Sequence, residues 1–402
     1  MKYLIILLIA PLVWSCSSDE PGPERQEATP FTFVEAQQKL TWSKGDLRGF
    51  VDIGGFDFDE EKIKYDASIY RVVYNTDYKG DSIPVSAIVI LPETESVEAV
   101  STISFQHGTI ASDAEAPTNL SLTNSQLILL SILSSSGMVV VVPDYIGFGE
   151  SVEIMHPYYV EDLTATTVVN SIYASRQLAG EKEIELNTDL FLAGYSQGGY
   201  ATMAAHKYYE EQGMPYYDLR ASFPAAGGYD VKAFQEYFFA LETYHEPFFL
   251  AYVANAYKVS YDWEEPLSLL FKEPYATEIP GYFDGSMNGT AINAKLTTTL
   301  ADLLQEDVVT GIETETYDFL TNAFRENSLT DWVPTIRMFM YHGDVDVTVP
   351  YQNSVDVYNQ FISNGASENI VTFTTIEGGA HVSGAGSWAF SLLEELEKLG
   401  SE

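Results

Sequence analysis

Short apolar runs alternate with longer amphipathic stretches from about residue 99 to the end of the chain. The six runs are Ala99–Phe105, Met138–Val142, Asp189–Ala193, Arg220–Pro224, Ile336–Tyr341 and Ile370–Ile376. Between and after them come stretches with helical periodicity: Asn124–Ser134, Asp162–Leu178, Gly199–Gln212, Tyr351–Ser363 and Ser387–Leu399. Short, wholly apolar strands that alternate with helices predict a mostly parallel central sheet with helices on both faces.

Two earlier segments predict a β-hairpin in front of this sheet. Ser68–Asn75 and Ile83–Leu91 are rich in β-branched and aromatic residues, and Asp77–Asp81 between them contains Lys-Gly, a turn signal. We therefore expect an α/β core that begins near residue 61.

One long interval interrupts the alternation. Residues 229–330 have no clear strand pattern and are crowded with aromatic side chains, among them Phe234, Phe238, Phe239, Phe248 and Phe249. The sequence thus predicts a mainly helical cap over residues 229–330, inserted between core parts 61–228 and 331–402. Such a cap can line a binding site, or it can be additional core without a role in recognition.

The first 16 residues have the pattern of a targeting signal. Lys2 precedes the apolar run Tyr3–Val13, which is too short for a stable transmembrane helix but fits a signal peptide. The run ends in Val13-Trp14-Ser15-Cys16, which resembles a bacterial lipoprotein cleavage site with Cys16 as the lipidated residue. An ordinary secretory peptide with an incidental cysteine is the alternative.

Residues 17–60 are predicted to be a flexible tether and N-terminal extension, because the segment after Cys16 combines proline, glycine and charge without apolar periodicity. The expected location is therefore the bacterial cell envelope, with the protein exported and held at a membrane by lipid on Cys16. Because Cys16 is the only cysteine, an internal disulfide is excluded.

The overall composition is that of an acidic globular protein. Hydrophobic residues make up 46% of the chain, and 58 acidic side chains against 20 basic ones give a formal net charge of -38. Such a surface repels phosphate backbones, so nucleic acid is not an expected partner. The charge serves solubility or, alternatively, attracts cationic substrates. No motif indicates a metal ion or any other cofactor, and nothing indicates an oligomeric state.

The strongest motif is Gly194-Tyr195-Ser196-Gln197-Gly198, which lies between a predicted strand and a predicted helix. Gly-x-Ser-x-Gly in that context forms a tight turn that exposes a nucleophilic serine above the end of a sheet, at the N-terminus of the next helix. We therefore expect Ser196 to be a catalytic nucleophile.

A serine nucleophile needs a general base and an acid that orients it. His381 lies in a glycine-rich loop after the last predicted strand, which makes it the best base among six histidines. The others are His107 and His342 at strand ends, His156 in a loop, His206 within a helix and His245 in the cap. The acid should precede the base in this chain order. Asp344 and Asp346 both qualify, and we favour Asp346.

Acyl transfer also needs two donors for the developing oxyanion. The backbone N–H of Gln197, directly after the nucleophile, should be one of them. The loop Gln106–Ile110 should supply the other, for which we favour the N–H of Thr109, with its hydroxyl as a further donor. The glycines in Pro143–Gly149 are expected to shape a structural loop close to the site.

Together these residues resemble the α/β-hydrolase superfamily, and within it the secretory lipases related to fungal lipase A. The matching residues are His107-Gly108-Thr109, Pro143-Asp144-Tyr145 with Gly147, Gly194–Gly199, Ala226–Asp230, and the Asp346 and His381 loops. The resemblance implies a serine esterase or lipase with a lid-like insertion and a small-molecule or lipid ester as substrate. An exported peptidase or glycan acyl esterase of the same fold, and a binding protein without catalytic activity, are the alternatives.

Overall fold

The computed structural model describes residues 31–54, 58–94 and 98–400. Within these residues one sheet of nine strands has the order β1-β2-β3-β5-β4-β6-β7-β8-β9. The strands are β1 Thr32–Trp42, β2 Asp66–Tyr78, β3 Asp81–Glu93, β4 Val100–Gln106, β5 Met138–Pro143, β6 Leu186–Tyr195, β7 Asp218–Ala225, β8 Met338–Gly343 and β9 Val371–Ile376. β4 to β9 pair in parallel, whereas β1, β2 and β3 are antiparallel to their neighbours.

The helices within the described residues alternate with the strands, except for seven that lie between β7 and β8. They are α1 Lys44–Gly54, α2 Ser125–Ser135, α3 Glu161–Glu181, α4 Gln197–Gln212, α5 Val231–Phe239, α6 Phe248–Ser260, α7 Tyr275–Glu278, α8 Gly289–Asn293, α9 Leu300–Leu303, α10 Glu306–Thr310, α11 Asp318–Glu326, α12 Tyr351–Ser363 and α13 His381–Leu399. The predicted α/β fold is confirmed, and each of the six apolar runs contains or overlaps a strand.

Helices cover both faces of the sheet because its central strands are apolar on both sides. In β5, Val139 and Val141 pack with residues of α3 and α4, whereas Val140 and Val142 pack on the opposite face with residues of α1, α2 and α13. Successive side chains of a strand point to opposite faces, so an unbroken apolar run needs cover on both.

The predicted hairpin is also confirmed, since β2 and β3 pair over their whole length. In the N-terminal extension, residues 31–54 contain β1 and α1, which the sequence did not predict. β1 is an edge strand whose side chains are mostly exposed, so its sequence lacks the apolar alternation that marks a half-buried strand. The signal segment and the first part of the tether, residues 1–30, lie outside the described residues.

The seven helices α5–α11 form a cap between β7 and β8, in the interval where the sequence predicts an insertion. Its two ends meet at a neck, where the N–H of Leu329 donates to the carbonyl of Tyr229 at 2.8 Å. The hydroxyl of Ser328 donates to Asp230 Oδ1 at 3.1 Å. The cap thus leaves the core and rejoins it at one place. No helix in the described part of the chain is long and apolar enough to cross a membrane.

Candidate active site

Ser196 occupies a strained turn between β6 and α4. Its backbone has φ 61° and ψ -124°, a conformation that L-residues rarely adopt. The turn is so tight that a Cβ on Gly194 would lie 2.2 Å from the carbonyl oxygen of Gly198. A Cβ on Gly198 would lie 1.9 Å from that of Gln106. The two glycines of the motif are therefore required for close packing, and they leave Ser196 at the carboxyl end of the parallel strands.

Three of the predicted site residues form a continuous hydrogen-bonded line. Oγ of Ser196 lies 2.9 Å from Nε2 of His381, and Nδ1 of His381 lies 2.6 Å from Oδ2 of Asp346. Their loops follow β6, β9 and β8, whose carboxyl ends meet at one edge of the sheet. With the proton on Nδ1, His381 donates to Asp346 and presents the lone pair of Nε2 to the serine hydroxyl.

The two candidate aspartates have different surroundings. Asp346 is buried, and its Oδ1 accepts hydrogen bonds from the N–H groups of Thr348 and Val349 at 2.9 and 3.0 Å. Burial alone would raise its pKa, but hydrogen bonds from His342, His381 and Val349 hold the pKa well below the usual range. Asp344 is exposed and accepts from the N–H of Gly378 at 2.7 Å. Asp346 is therefore the aspartate that contacts His381.

His342 contributes to this arrangement in a way that the sequence did not predict. Its Nε2 lies 3.2 Å from Oδ2 of Asp346 and 3.0 Å from the carbonyl of Val349. Because both neighbours are acceptors, Nε2 carries the proton and Nδ1 accepts from the hydroxyl of Ser354 at 2.7 Å. The only signal in the sequence is its place at a strand end, four residues before Asp346.

The two predicted oxyanion donors flank the serine. Gln197 is the first residue of α4, where a backbone N–H has no acceptor within the helix. Thr109 belongs to the loop after β4, which passes so close that a Cβ on Gly108 would lie 3.7 Å from the Cβ of Ser196. The Thr109 hydroxyl lies 2.8 Å from the hydroxyl of Tyr158. The structure thus brings both residues to the serine and gives the Thr109 side chain a partner of its own.

The remaining histidines are held in hydrogen bonds away from the reacting pair. His206 is buried in α4 with its ring nitrogens 2.6 Å from Ser222 Oγ and 3.0 Å from Glu210 Oε1, so it has a packing role. His107 is buried against the ring of Tyr145, and burial lowers its pKa to about 4. His156, which the sequence placed in a loop, contacts the Gln197 side chain.

Two spaces that are lined partly by residues of the cap differ in polarity. A groove of about 270 Å³ beside His381 is lined by both apolar and polar residues, and the polar ones include Glu115, Glu246, Asn288, Thr290 and Thr348. A cavity of about 60 Å³ inside the cap has almost wholly apolar walls, which include Phe234, Phe238, Phe239, Phe249 and Ala254. Phe249 borders both spaces, and Phe248 belongs to the groove. The cavity also touches Tyr158, the hydrogen-bond partner of Thr109.

A model of the secretory lipase family matches residues 112–213, which include the Ser196 turn. No curated protein matches the chain in sequence. Among solved structures, a protein described as a hydrolase from Legionella pneumophila is 22% identical with a TM-score of 0.81, over 92% of this chain and 98% of that one. The rice cell wall degrading esterase LipA from Xanthomonas oryzae is 20% identical with a TM-score of 0.77, over 90% and 95%.

Lipase A from Candida antarctica is more distant, at 14% identity and a TM-score of 0.65, over 88% of this chain and 78% of that one. Likeness at these identities establishes the fold, which is that of the α/β-hydrolases. The resemblance found in the sequence is thereby confirmed: the chain has the α/β-hydrolase fold and is similar to lipases and esterases, and the family model that it matches over residues 112–213 is that of the secretory lipases.

Proposed function

We propose that this protein is an exported, lipid-anchored serine hydrolase that cleaves carboxylic esters through an acyl-enzyme. The observation that carries the proposal is the hydrogen-bonded line from Ser196 through His381 to Asp346. A hydroxyl next to an imidazole that is oriented by a buried carboxylate is the arrangement that activates a serine as a nucleophile.

In the proposed reaction Nε2 of His381 removes the proton from Ser196 as Oγ attacks the ester carbonyl carbon. Asp346 stabilises the imidazolium that forms and keeps its ring in place. The tetrahedral intermediate collapses, the bond to the alcohol oxygen breaks, and His381 gives its proton to the leaving alcohol. Water then attacks the acyl-serine by the same route and releases the carboxylic acid and free Ser196.

The negative charge on the carbonyl oxygen would be stabilised by the backbone N–H groups of Gln197 and Thr109. Support for this assignment comes from their positions: Gln197 is at a helix N-terminus directly after the serine, and Thr109 follows Gly108, which approaches Ser196. Preorganised donors of this kind act where the charge develops, and removing one costs about 10²–10³-fold in turnover.

The apolar cavity in the cap is the proposed site for the acyl chain. Its walls carry few polar groups, which suits a hydrocarbon, and Phe249 lines both this cavity and the groove. We infer that an acyl group bound at Ser196 extends past Phe249 into the cap. Each methylene buried in this way contributes about 0.8 kcal/mol.

Export and anchoring rest on the sequence of residues 1–16, which lie outside the described residues. The apolar run and the single cysteine at its end support a lipid-modified N-terminus on Cys16. Each methylene of a lipid chain adds about 0.8 kcal/mol of membrane affinity, so two or more chains hold a protein firmly.

A second candidate is an esterase that removes acyl groups from a glycan. The polar side chains in the lining of the groove beside His381 favour it, because hydroxyl-rich alcohols bind through hydrogen bonds to such side chains. One of the similar structures is described as a cell wall degrading esterase, which is consistent with this candidate.

The test compares purified protein on p-nitrophenyl esters of increasing acyl length, on acetylated polysaccharide and on aminoacyl anilides. The proposal predicts that esters turn over much faster than anilides. Faster release of acetate from the polysaccharide than from any simple ester would favour the glycan esterase. Anilides cleaved as fast as the best ester would replace both candidates with a peptidase.

A further inference from the structure

The side chain of Gln197 is buried directly after the nucleophile, and within the described residues one hydrogen bond holds it. Its Nε2 lies 2.7 Å from Nε2 of His156, which is 41 residues away in the chain. Gln197 is 1% exposed and His156 is 4% exposed, so water competes for neither group. This hydrogen bond fixes the residue whose backbone N–H we assign to the oxyanion.

The direction of that bond follows from the second nitrogen of the ring. Nδ1 of His156 lies 2.7 Å from the carbonyl oxygen of Ile146, so Nδ1 carries a proton. Burial lowers the pKa of His156 to about 3, which leaves the ring neutral and Nε2 free to accept. The Gln197 amide must then turn its NH₂ toward the ring, and within the described part of the chain its Oε1 is buried without a hydrogen-bond partner.

The ring of His156 is packed among aromatic side chains. Its ring lies 5.0 Å from that of Phe148 and 5.8 Å from those of Tyr145 and Tyr252. The backbone of Gly147 approaches that of His156 so closely that a Cβ on Gly147 would lie 2.5 Å from the Cα of His156. An acceptor that cannot shift holds the Gln197 side chain in one position.

The same short segment holds the other proposed donor. Tyr158, two residues after His156, places its hydroxyl 2.8 Å from Oγ1 of Thr109 and stacks on Tyr252 with ring centroids 4.4 Å apart. One segment therefore contacts both residues that flank the serine, although these follow different strands.

We propose that residues 156–158 form an oxyanion brace, in which His156 positions Gln197 and Tyr158 positions Thr109. The brace rests on the proposed function and contacts none of the reacting atoms, although Tyr158 also lines the apolar cavity. It acts by fixing the directions of two backbone N–H groups, which are of use only if they point at the oxyanion before it forms. Loss of the brace should therefore weaken binding of the transition state more than binding of the ester.

The test uses His156→Leu, Gln197→Met, the double variant and Tyr158→Phe. His156→Gln serves as the conservative variant, because its side-chain oxygen can accept from Gln197. His206→Leu is the matched control, since His206 is also a buried, doubly hydrogen-bonded histidine but contacts neither donor. For each protein, active sites are counted by the stoichiometry of fluorophosphonate labelling. kcat and KM are then measured on p-nitrophenyl butyrate, together with the Ki of a trifluoromethyl ketone that mimics the tetrahedral intermediate.

We expect His156→Leu and Gln197→Met each to lower kcat per active site by about 10-fold, less than the loss of a whole donor. The Ki of the ketone should rise by the same factor while KM stays within about twofold, because ester binding does not use the hydrogen bond between His156 and Gln197. The double variant should lose no more than either single one, and Tyr158→Phe should show a smaller change of the same kind. His156→Gln should retain most of the activity.

The brace is disproved if the variants keep the parental kcat and Ki per active site and lose only thermal stability, as His206→Leu should. If His156→Leu does not fold, kcat and Ki of Tyr158→Phe test the contact between Tyr158 and Thr109 by the same criterion. Failure of the parent protein to react with fluorophosphonate would instead overturn the proposed function, and the brace with it.

Discussion

His342 donates through Nε2 to Oδ2 of Asp346 at 3.2 Å, and this is the same oxygen that His381 contacts at 2.6 Å. One carboxylate oxygen thus serves two imidazoles, one fully buried and one at the reacting serine. The Asp346 carboxylate therefore accepts a hydrogen bond from His342 in addition to that from His381. It also accepts two from backbone N–H groups of its own loop. Hydrogen bonds of this kind keep a carboxylate ionised and fix its direction.

The first prediction separates the two aspartates of this loop. Asp346→Asn should lower kcat on p-nitrophenyl esters by about 10⁴-fold, because the amide no longer selects the tautomer of His381 that accepts from serine. Asp344→Asn should change kcat by less than about threefold, since the Asp344 side chain is exposed and accepts from the Gly378 N–H. The opposite ranking would show that the acid has been assigned to the wrong residue.

The second prediction concerns the acyl cavity. Ala254→Phe should fill it and lower kcat/KM for longer esters, by about fourfold for each methylene excluded, while acetate esters are little affected. Phe239→Leu should enlarge the cavity and move the preference toward longer chains. Phe361→Leu, a buried ring on α12 outside the cavity, is the control. An unchanged chain-length profile in both cavity variants would mean that these rings only pack the cap.

The third prediction uses the buried His156. Its folded pKa of about 3 lies below the unfolded value of about 6.5. Its neutral form therefore contributes to the free energy of unfolding above pH 6.5, and this contribution is lost as the pH falls toward 3. Between pH 7 and pH 5 the free energy of unfolding of the parent protein should fall by about 2 kcal/mol more than that of His156→Gln. Urea titrations at both pH values measure this difference, and parallel losses would contradict it.

The fourth prediction concerns the N-terminus. Mature protein should begin at Cys16, carry acyl chains and sediment with membranes, whereas Cys16→Ser should release it or block processing. Mass spectrometry of the mature N-terminal peptide measures both the cleavage site and the modification. An unmodified Cys16 in processed protein would exclude the anchor.

The parallel core could be predicted from the sequence because its strands are marked by a local pattern of apolar residues. β5 is apolar on both faces, and β4, β6 and β7 each contain buried apolar side chains, so their own residues mark them. β1 could not be found in this way, since it is held by pairing with β2 and leaves most side chains exposed. Edge strands are defined by their neighbour more than by their composition.

In the candidate site, too, the residues that lie in local motifs could be predicted, whereas contacts between distant residues could not. Ser196 stands in a motif whose glycines and flanking elements are contiguous, and His381 lies in a loop of recognisable composition. The contact of His156 with Gln197 joins residues 41 positions apart, and that of Tyr158 with Thr109 joins residues 49 apart. Such contacts depend on how β4, β5 and β6 pair and where the following loops pack, which no local pattern specifies.

The measurement that tests the central claim most directly is the turnover of a p-nitrophenyl ester by Ser196→Ala beside the parent protein. If Ser196 is the nucleophile that His381 activates, the variant should lose about 10⁶-fold in kcat. It should also lose the fluorophosphonate adduct that intact-mass spectrometry finds on the parent, while its unfolding temperature stays close to the parental value. A Ser196→Ala protein that hydrolyses the ester within about tenfold of the parental rate would contradict the account, because the chemistry would then belong to another residue.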